Sequence, residues 1–181
     1  MKKLLFLSIF IFTTSLLSAQ NKERKPFFTG SMQFTLAVNE NYICCGHDDG
    51  EYFFRASAFF LRLGAGYQFN RRFAASIHVG FDTHDQYAID AFPTYTTLHY
   101  NIVEDEDSTF FTEISYGKMW RPSNKYSDGN YYGLGIGYQI KSEKSRWNPM
   151  LRLDFHRKKI PGFNENGNLD SLSIGIGFSF F

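Results

Sequence analysis

Ser171-Leu-Ser-Ile-Gly-Ile-Gly-Phe-Ser-Phe-Phe181 closes the chain. Every second position from Leu172 to Phe180 is large and apolar, and every position between is Ser or Gly. Side chains alternate between the two faces of a strand, so this stretch reads as a strand with one greasy face and one small, polar face.

Seven earlier segments share the rhythm. The first sets Phe28, Met32, Phe34, Leu36 and Val38 against Thr29, Ser31, Gln33 and Thr35. The second opposes Phe59, Leu61, Leu63, Ala65, Tyr67 and Phe69 to Arg62, Gly64, Gly66 and Gln68. In the third, Phe73, Ala75, Ile77, Val79 and Phe81 face away from Ser76, His78, Gly80 and Asp82. The fourth is the weakest pattern: Leu98, Tyr100 and Ile102 against Thr97, His99 and Asn101, with Pro93 near its start, where proline suits only an edge, a first residue or a bulge. The fifth sets Phe110, Ile114, Tyr116 and Trp120 against Glu113, Ser115 and Gly117. The sixth alternates Tyr132, Leu134, Ile136, Tyr138 and Ile140 with Gly133, Gly135, Gly137 and Gln139. The seventh opposes Leu151, Leu153 and Phe155 to Arg152, Asp154 and His156. Helical spacing is absent after the first twenty residues, so the expected fold is all-β, with eight antiparallel strands.

The connections alternate in length. Asn70-Arg71-Arg72 and Val103 to Ser108 are short, whereas Asn39 to Tyr52 and Lys158 to Asp170 are long, with intermediate stretches at Thr83 to Asp90 and Arg121 to Asp128. Short turns at one end, longer loops at the other and an even strand count describe an up-and-down outer-membrane barrel. Lys141 to Asn148 is the one turn longer than that scheme expects.

Met1 to Gln20 has the parts of an export signal: Lys2 and Lys3, the apolar run Leu4 to Phe12, and Leu17-Ser18-Ala19 before the cut. The run is shorter than the roughly 20 residues a membrane helix needs. Cleavage after Ala19 leaves residues 20–181 as one domain of about 160 residues. Removing Lys2 and Lys3 from the 19 basic residues leaves 17 against 18 acidic ones. That balance gives no electrostatic reason to expect nucleic acid.

The direction of the two faces follows from volume. An eight-stranded barrel has an interior just wide enough to be filled by side chains or to hold one small ligand. Four or five bulky groups from each strand would overfill it, so a soluble, lipocalin-like arrangement with the apolar face inward does not fit. The Gly/Ser/Thr/Gln face packs inside, and the 19% aromatic content then meets lipid. Tyr67, Phe69, Phe73, Tyr100, Tyr138 and Phe180 would mark the periplasmic rim, with Phe81, Trp120, Tyr132 and Phe155 marking the outer one.

With these segments and the terminal Phe181, the chain resembles the small outer-membrane β-barrel proteins of Gram-negative bacteria, the group that includes the OmpA transmembrane domain and OmpX. The resemblance implies an eight-stranded antiparallel transmembrane β-barrel in the outer membrane, monomeric, with both termini in the periplasm. It implies lipid and lipopolysaccharide as surroundings, and Phe181 as part of the signal read by the barrel-assembly machinery. It does not settle an activity, because many functions share this barrel.

The inward face carries Arg62, His78, Asp82, His99, Glu113, Arg152, Asp154 and His156. Charges in so narrow a space must be paired or hydrated. A salt-bridged plug, with Arg62 or Arg152 reaching Glu113, is the leading expectation; a narrow solute path is the alternative. Cys44-Cys45-Gly46-His47-Asp48-Asp49 holds metal-ligand residue types, but at no standard site spacing. A disulfide between Cys44 and Cys45 leads there, with intermolecular pairing and free thiols left open. No metal or other cofactor is expected.

A weaker resemblance points to enzymes. Outer-membrane lipid A deacylases of the PagL type carry a His-x-Ser pair on the seventh strand and an acidic residue near the start of the eighth. His156 and Asp170 match two of those places, but Lys158 stands where the nucleophilic serine belongs. Alternation also turns His156 inward. A barrel protease assembled from Asp48, Asp49, Asp82 and Asp85 is weaker still. The expected function is therefore non-enzymatic, structural or exerted through outer loops on an unidentified surface partner.

Overall fold

The computed structural model describes residues 25–38, 54–84, 89–120, 128–142, 145–162 and 167–181. Eight strands fill them: β1 (Lys25–Val38), β2 (Phe54–Gln68), β3 (Phe73–His84), β4 (Ile89–Glu104), β5 (Ser108–Trp120), β6 (Gly129–Ile140), β7 (Trp147–Lys159) and β8 (Asn168–Phe180). Each pairs antiparallel with its sequence neighbour, and β8 closes on β1, running Phe28↔Phe180 to Thr35↔Ser173. This is the closed, all-antiparallel barrel that the alternation predicts, and closure leaves no open strand edge.

Strand limits differ from expectation where polar residues read as loop. β7 continues through Lys158 to Lys159, and β8 starts at Asn168, so both ends of the expected Lys158–Asp170 loop are strand. Thr83 and His84 likewise extend β3, and Ile89 already belongs to β4. Inward charged residues interrupt no ladder, but they look like loop when hydrophobicity alone is followed.

β4, the faintest pattern, is the longest strand at 16 residues. Pro93 sits inside it. The β3–β4 ladder runs up to Val79↔Thr94 and resumes at Asp82↔Ala91, so it lapses at the level of the residue that has no N–H. Pro93 still aligns with Met119 of β5. Register shifts at Thr35/Leu36 in β1 and Asn101/Val103 in β4 mark local bulges.

The short turns carry their own hydrogen bonds. Asn70 Oδ1 accepts the backbone N–H groups of Arg72 and Phe73 at 2.8 and 2.7 Å, an Asx turn that reverses the chain between β2 and β3. Lys141 Nζ donates to Glu104 Oε1 at 2.6 Å and to the Asp105 carbonyl at 3.0 Å, tying the β6–β7 turn to the β4–β5 turn at the same end. Lys25 and Phe180 lie at this terminal end. Val38, His84, Trp120 and Lys159 lie at the opposite end, termed the loop end.

The two faces separate as the volume argument requires. Leu98 is 68% and Ile176 66% exposed on the outer wall, whereas Asp82 is fully buried in the lumen and Gln33 nearly so. Water would favour the reverse arrangement; lipid favours this one. At the terminal end, Trp147 joins Phe178 and Phe180 at ring distances of 4.7 and 5.1 Å, extending the aromatic rim expected there. Phe178 also lies over Gly30, where an added Cβ would meet its ring at 2.7 Å, so a glycine on the lipid face is covered by its neighbour's aromatic ring.

Candidate functional site in the barrel lumen

The lumen is filled in layers. Nearest the loop end, Ile89, Ala91, Met119, Ile160 and Leu169 form a buried apolar cluster that points inward. Ile89, Ala91 and Leu169 align with His84, Asp82 and Lys158 on the neighbouring strands, and Ile160 stands two residues past Lys158, so the apolar cluster flanks the charged groups on their loop-end side.

Below them lies a buried ion cluster. Arg62 Nη1 pairs with Asp82 Oδ1, and Lys158 Nζ lies 2.6 Å from Asp82 Oδ2. Lys158 Nζ also donates to His84 Nε2 at 2.6 Å. Arg62 Nε and Nη2 have no hydrogen-bond acceptor. Instead, the guanidinium stands 5.2, 5.8 and 5.7 Å from the ring centroids of Phe60, Tyr95 and Tyr131, and Lys158 Nζ lies 3.9 Å from Phe60. Ring faces attract cations most where water is absent, which offsets part of the missing hydrogen bonding.

A third layer centres on His156. Asp154 Oδ2 accepts Gln33 Nε2 at 2.9 Å, which turns Gln33 Oε1 toward His156 Nε2, also at 2.9 Å. A carboxylate and an amide oxygen only accept, so His156 Nε2 carries the proton. Its Nδ1 then accepts from the Tyr131 hydroxyl at 2.5 Å. Ser173 Oγ stands 3.0 Å from His156 Nε2.

Toward the terminal end, Arg152 bridges two carboxylates. Its Nη2 donates to Glu113 Oε2 at 2.5 Å, and its Nε donates to Asp154 Oδ2 at 3.0 Å. Glu113 Oε1 lies 2.9 Å from His99 Nδ1, and His99 Nε2 lies 2.7 Å from Asn101 Oδ1. His78 stands apart, held by Ser76 at 2.7 Å and stacked on Tyr95 with centroids 4.9 Å apart. Below this layer a cavity of about 700 Å³ opens at the terminal end, with His78, His99 and Glu113 on its inner wall.

Glycines make room for these long side chains. An added Cβ on Gly64 would run into the His78 ring, and one on Gly135 would overlap Asp154 Oδ1. Arg62 lies over Gly80 and Gln33 over Gly175 in the same way, which accounts for part of the glycine on the small face.

Arg62, His78, Asp82, His99, Glu113, Arg152, Asp154 and His156 thus all face the lumen. Arg152 is the partner of Glu113, and Arg62 pairs with Asp82 instead, correcting the alternative that Arg62 reaches Glu113. His156 and Asp170 do not meet. His156 is buried inside, while Asp170 lies on the outer wall and takes Arg157 Nε and Nη2 at 2.8 and 2.7 Å. Cys44 and Cys45, the other cysteine-loop residues and Asp85 lie outside the described residues.

Lys158, His84, Gln33, Tyr95 and Tyr131 were not among the expected site residues. Alternation carried two steps past His156 and past Asp82 would have placed Lys158 and His84 inside. Tyr95 and Tyr131 were hidden by aromaticity, which suggests lipid contact unless the neighbouring parity is followed.

An eight-stranded, all-antiparallel membrane β-barrel with a polar, filled lumen is the class these features define. Among solved structures, the crystal structure of Neisserial surface protein A (NspA) is similar, with a TM-score of 0.56 and 10% identity over 88% of this chain and 99% of that one. At that identity the likeness is one of fold. A de novo designed transmembrane β-barrel aligns more loosely, with a TM-score of 0.46 and 9% identity over 89% of this chain and 98% of that one. No protein-family model matches the chain, and no curated protein matches it.

Proposed function

We propose that the chain is exported by removal of Met1–Ala19 and resides in the outer membrane as a monomer, terminal end in the periplasm and loop end outside. Lipid and lipopolysaccharide surround it, and Phe181 serves the barrel-assembly machinery. Its work is non-enzymatic: a closed scaffold whose outer segments engage a surface partner. The observation that carries this is the filling of the lumen by the buried Arg62–Asp82–Lys158 cluster and the apolar cluster that flanks it.

That filling speaks against a solute path, because a passing solute would have to break buried ion pairs and part the apolar side chains packed against them. The enzyme alternative loses its geometry as well. A Ser–His contact does exist at Ser173 and His156, yet both are buried between ion layers and neither lines the cavity at the terminal end. A lipid substrate on the outer wall meets Asp170, Arg157 and Tyr132, with no serine aligned beside them among the described residues. With the lumen committed to packing, the connecting segments and the outer surface hold the remaining freedom for function.

Deleting residues 40–51 tests the proposal directly. The barrel should still form, with its β-type circular dichroism intact, while binding to whole partner cells or to surface extracts is lost. Steady conductance of the purified wild-type barrel in a planar bilayer would instead favour the pore. A change in lipid A acylation on expressing the protein would revive the hydrolase.

A further inference from the structure

The outer wall across β5, β6 and β7 is graded in three successive rows. Lys118, Asn130 and Lys159 align in one row at the loop end. Tyr116, Tyr132 and Arg157 form the next, and Ile114, Leu134 and Phe155 the third. All nine point away from the lumen. Strand spacing of about 4.8 Å puts the two lysine backbones about 10 Å apart, close enough for both ammonium groups to converge on one anion above Asn130.

Charge in this patch is cancelled only in part, and the exposed Asp128 stands two residues from Asn130. Arg157 is held by Asp170. Lys118 and Lys159 have no ion-pair partner among the described residues, and both are exposed. Tyr116 and Tyr132 lie with ring centroids 5.3 Å apart directly below, offering ring faces and hydroxyls. On the outer wall of β1 and β2, Phe34 and Phe59 instead pack against each other at 5.3 Å.

We infer that Lys118 and Lys159 form a phosphate-binding site for a phosphorylated glycolipid of the outer leaflet. Each row matches one zone of such a molecule. Ammonium groups and the Asn130 amide meet phosphate, the tyrosines meet the sugar at the interface, and Ile114, Leu134 and Phe155 meet acyl chains. Lysine binds phosphate as a point charge, and each basic residue near an anionic membrane surface strengthens attachment. The site rests on the proposal that the loop end faces outward.

The test uses the full chain folded in detergent micelles, with bound lipid counted by native mass spectrometry. Probes are diphosphoryl lipid A, the same lipid stripped of phosphate, and phosphatidylglycerol. Wild type should bind the diphosphoryl form about tenfold more tightly than the stripped form. Lys118→Gln/Lys159→Gln should lose that preference, Lys118→Arg/Lys159→Arg should keep it, and Arg146→Gln should leave it unchanged. Equal binding by wild type and the double glutamine variant overturns the site. So does a lysine-dependent preference for phosphatidylglycerol over lipid A. Orientation is read separately, by labelling Pro161→Cys with an impermeant maleimide on intact cells in a Cys44→Ser/Cys45→Ser background. Labelling without lipid A binding rejects the site alone, and no labelling rejects the orientation on which it rests.

Discussion

Lys158 Nζ sits 2.6 Å from Asp82 Oδ2, and both side chains are wholly sealed from solvent. Asp82 also takes Arg62, so one carboxylate serves two cations. The partners are therefore unequal. Removing Asp82 strands two buried positive charges, whereas removing Lys158 leaves an intact Arg62–Asp82 pair.

Asp82→Asn should accordingly destabilise the barrel by about 3–5 kcal/mol, the cost of breaking a buried pair from one side. Lys158→Met, similar in volume and able to rest on Phe60, should cost at most about 1 kcal/mol, because an apolar replacement of a buried ion is often neutral. Urea unfolding in lipid vesicles, followed by tryptophan fluorescence, gives both values. Equal losses would mean that Asp82 is not the shared partner.

The hydrogen-bond order around His156 makes a second prediction. Its Nε2 should carry the proton and its Nδ1 should accept from Tyr131, a state that nitrogen chemical shifts of labelled histidine distinguish from the other tautomer. Tyr131→Phe should keep the fold, cost about 1 kcal/mol for the lost bond, and move the Nδ1 shift most. A protonated Nδ1 in the wild type would break the chain of inference that starts at Asp154 and Gln33.

Packing on the small face can be probed at Gly135. Asp154, aligned with Gly135 across the β6–β7 ladder, lies over it. Gly135→Ala places a methyl group where the carboxylate now sits and should cost about 1–3 kcal/mol through overpacking. Gly162, which has open space around it but a φ of 80°, should respond to alanine through backbone strain instead, with the lumen ion pairs untouched. Comparing urea midpoints with the refolded fraction of each variant separates the two effects.

Two-residue alternation made the barrel legible from the chain alone, because a lipid-facing wall and a crowded lumen leave each position little choice. It failed at strand ends for a physical reason. Lys158 and His84 are polar residues on the inward face, where partners exist that no linear pattern displays, so they resemble loop. The partnership of Arg62 was hidden for a similar cause. Glu113 and Asp82 are both inward carboxylates, and only the register decides that Arg152 meets the first and Arg62 the second. Pro93 misled differently: an isolated proline predicts an edge or an end, but in a closed barrel a single lapse in one ladder is tolerated while the other neighbour stays in register.

The direction of the apolar face supports the sharpest prediction. Ile114 is 63% exposed on the outer wall, four residues toward the terminal end from Lys118 on the same face. In water, Ile114→Arg would be neutral or favourable, since it removes an exposed apolar group. In a bilayer, arginine there should cost about 2–4 kcal/mol if the site lies near the midplane, falling to about 0–1 kcal/mol near the interface. Trp120→Arg, at the loop-end limit of β5, should therefore lose far less from solvation than Ile114→Arg, beyond the loss of its indole bond to Thr94 Oγ1 at 2.8 Å. Unfolding both variants reversibly from vesicles measures the difference. A larger penalty at Ile114 supports the lipid wall, and equal or inverted penalties would mean that water, not lipid, bathes this face.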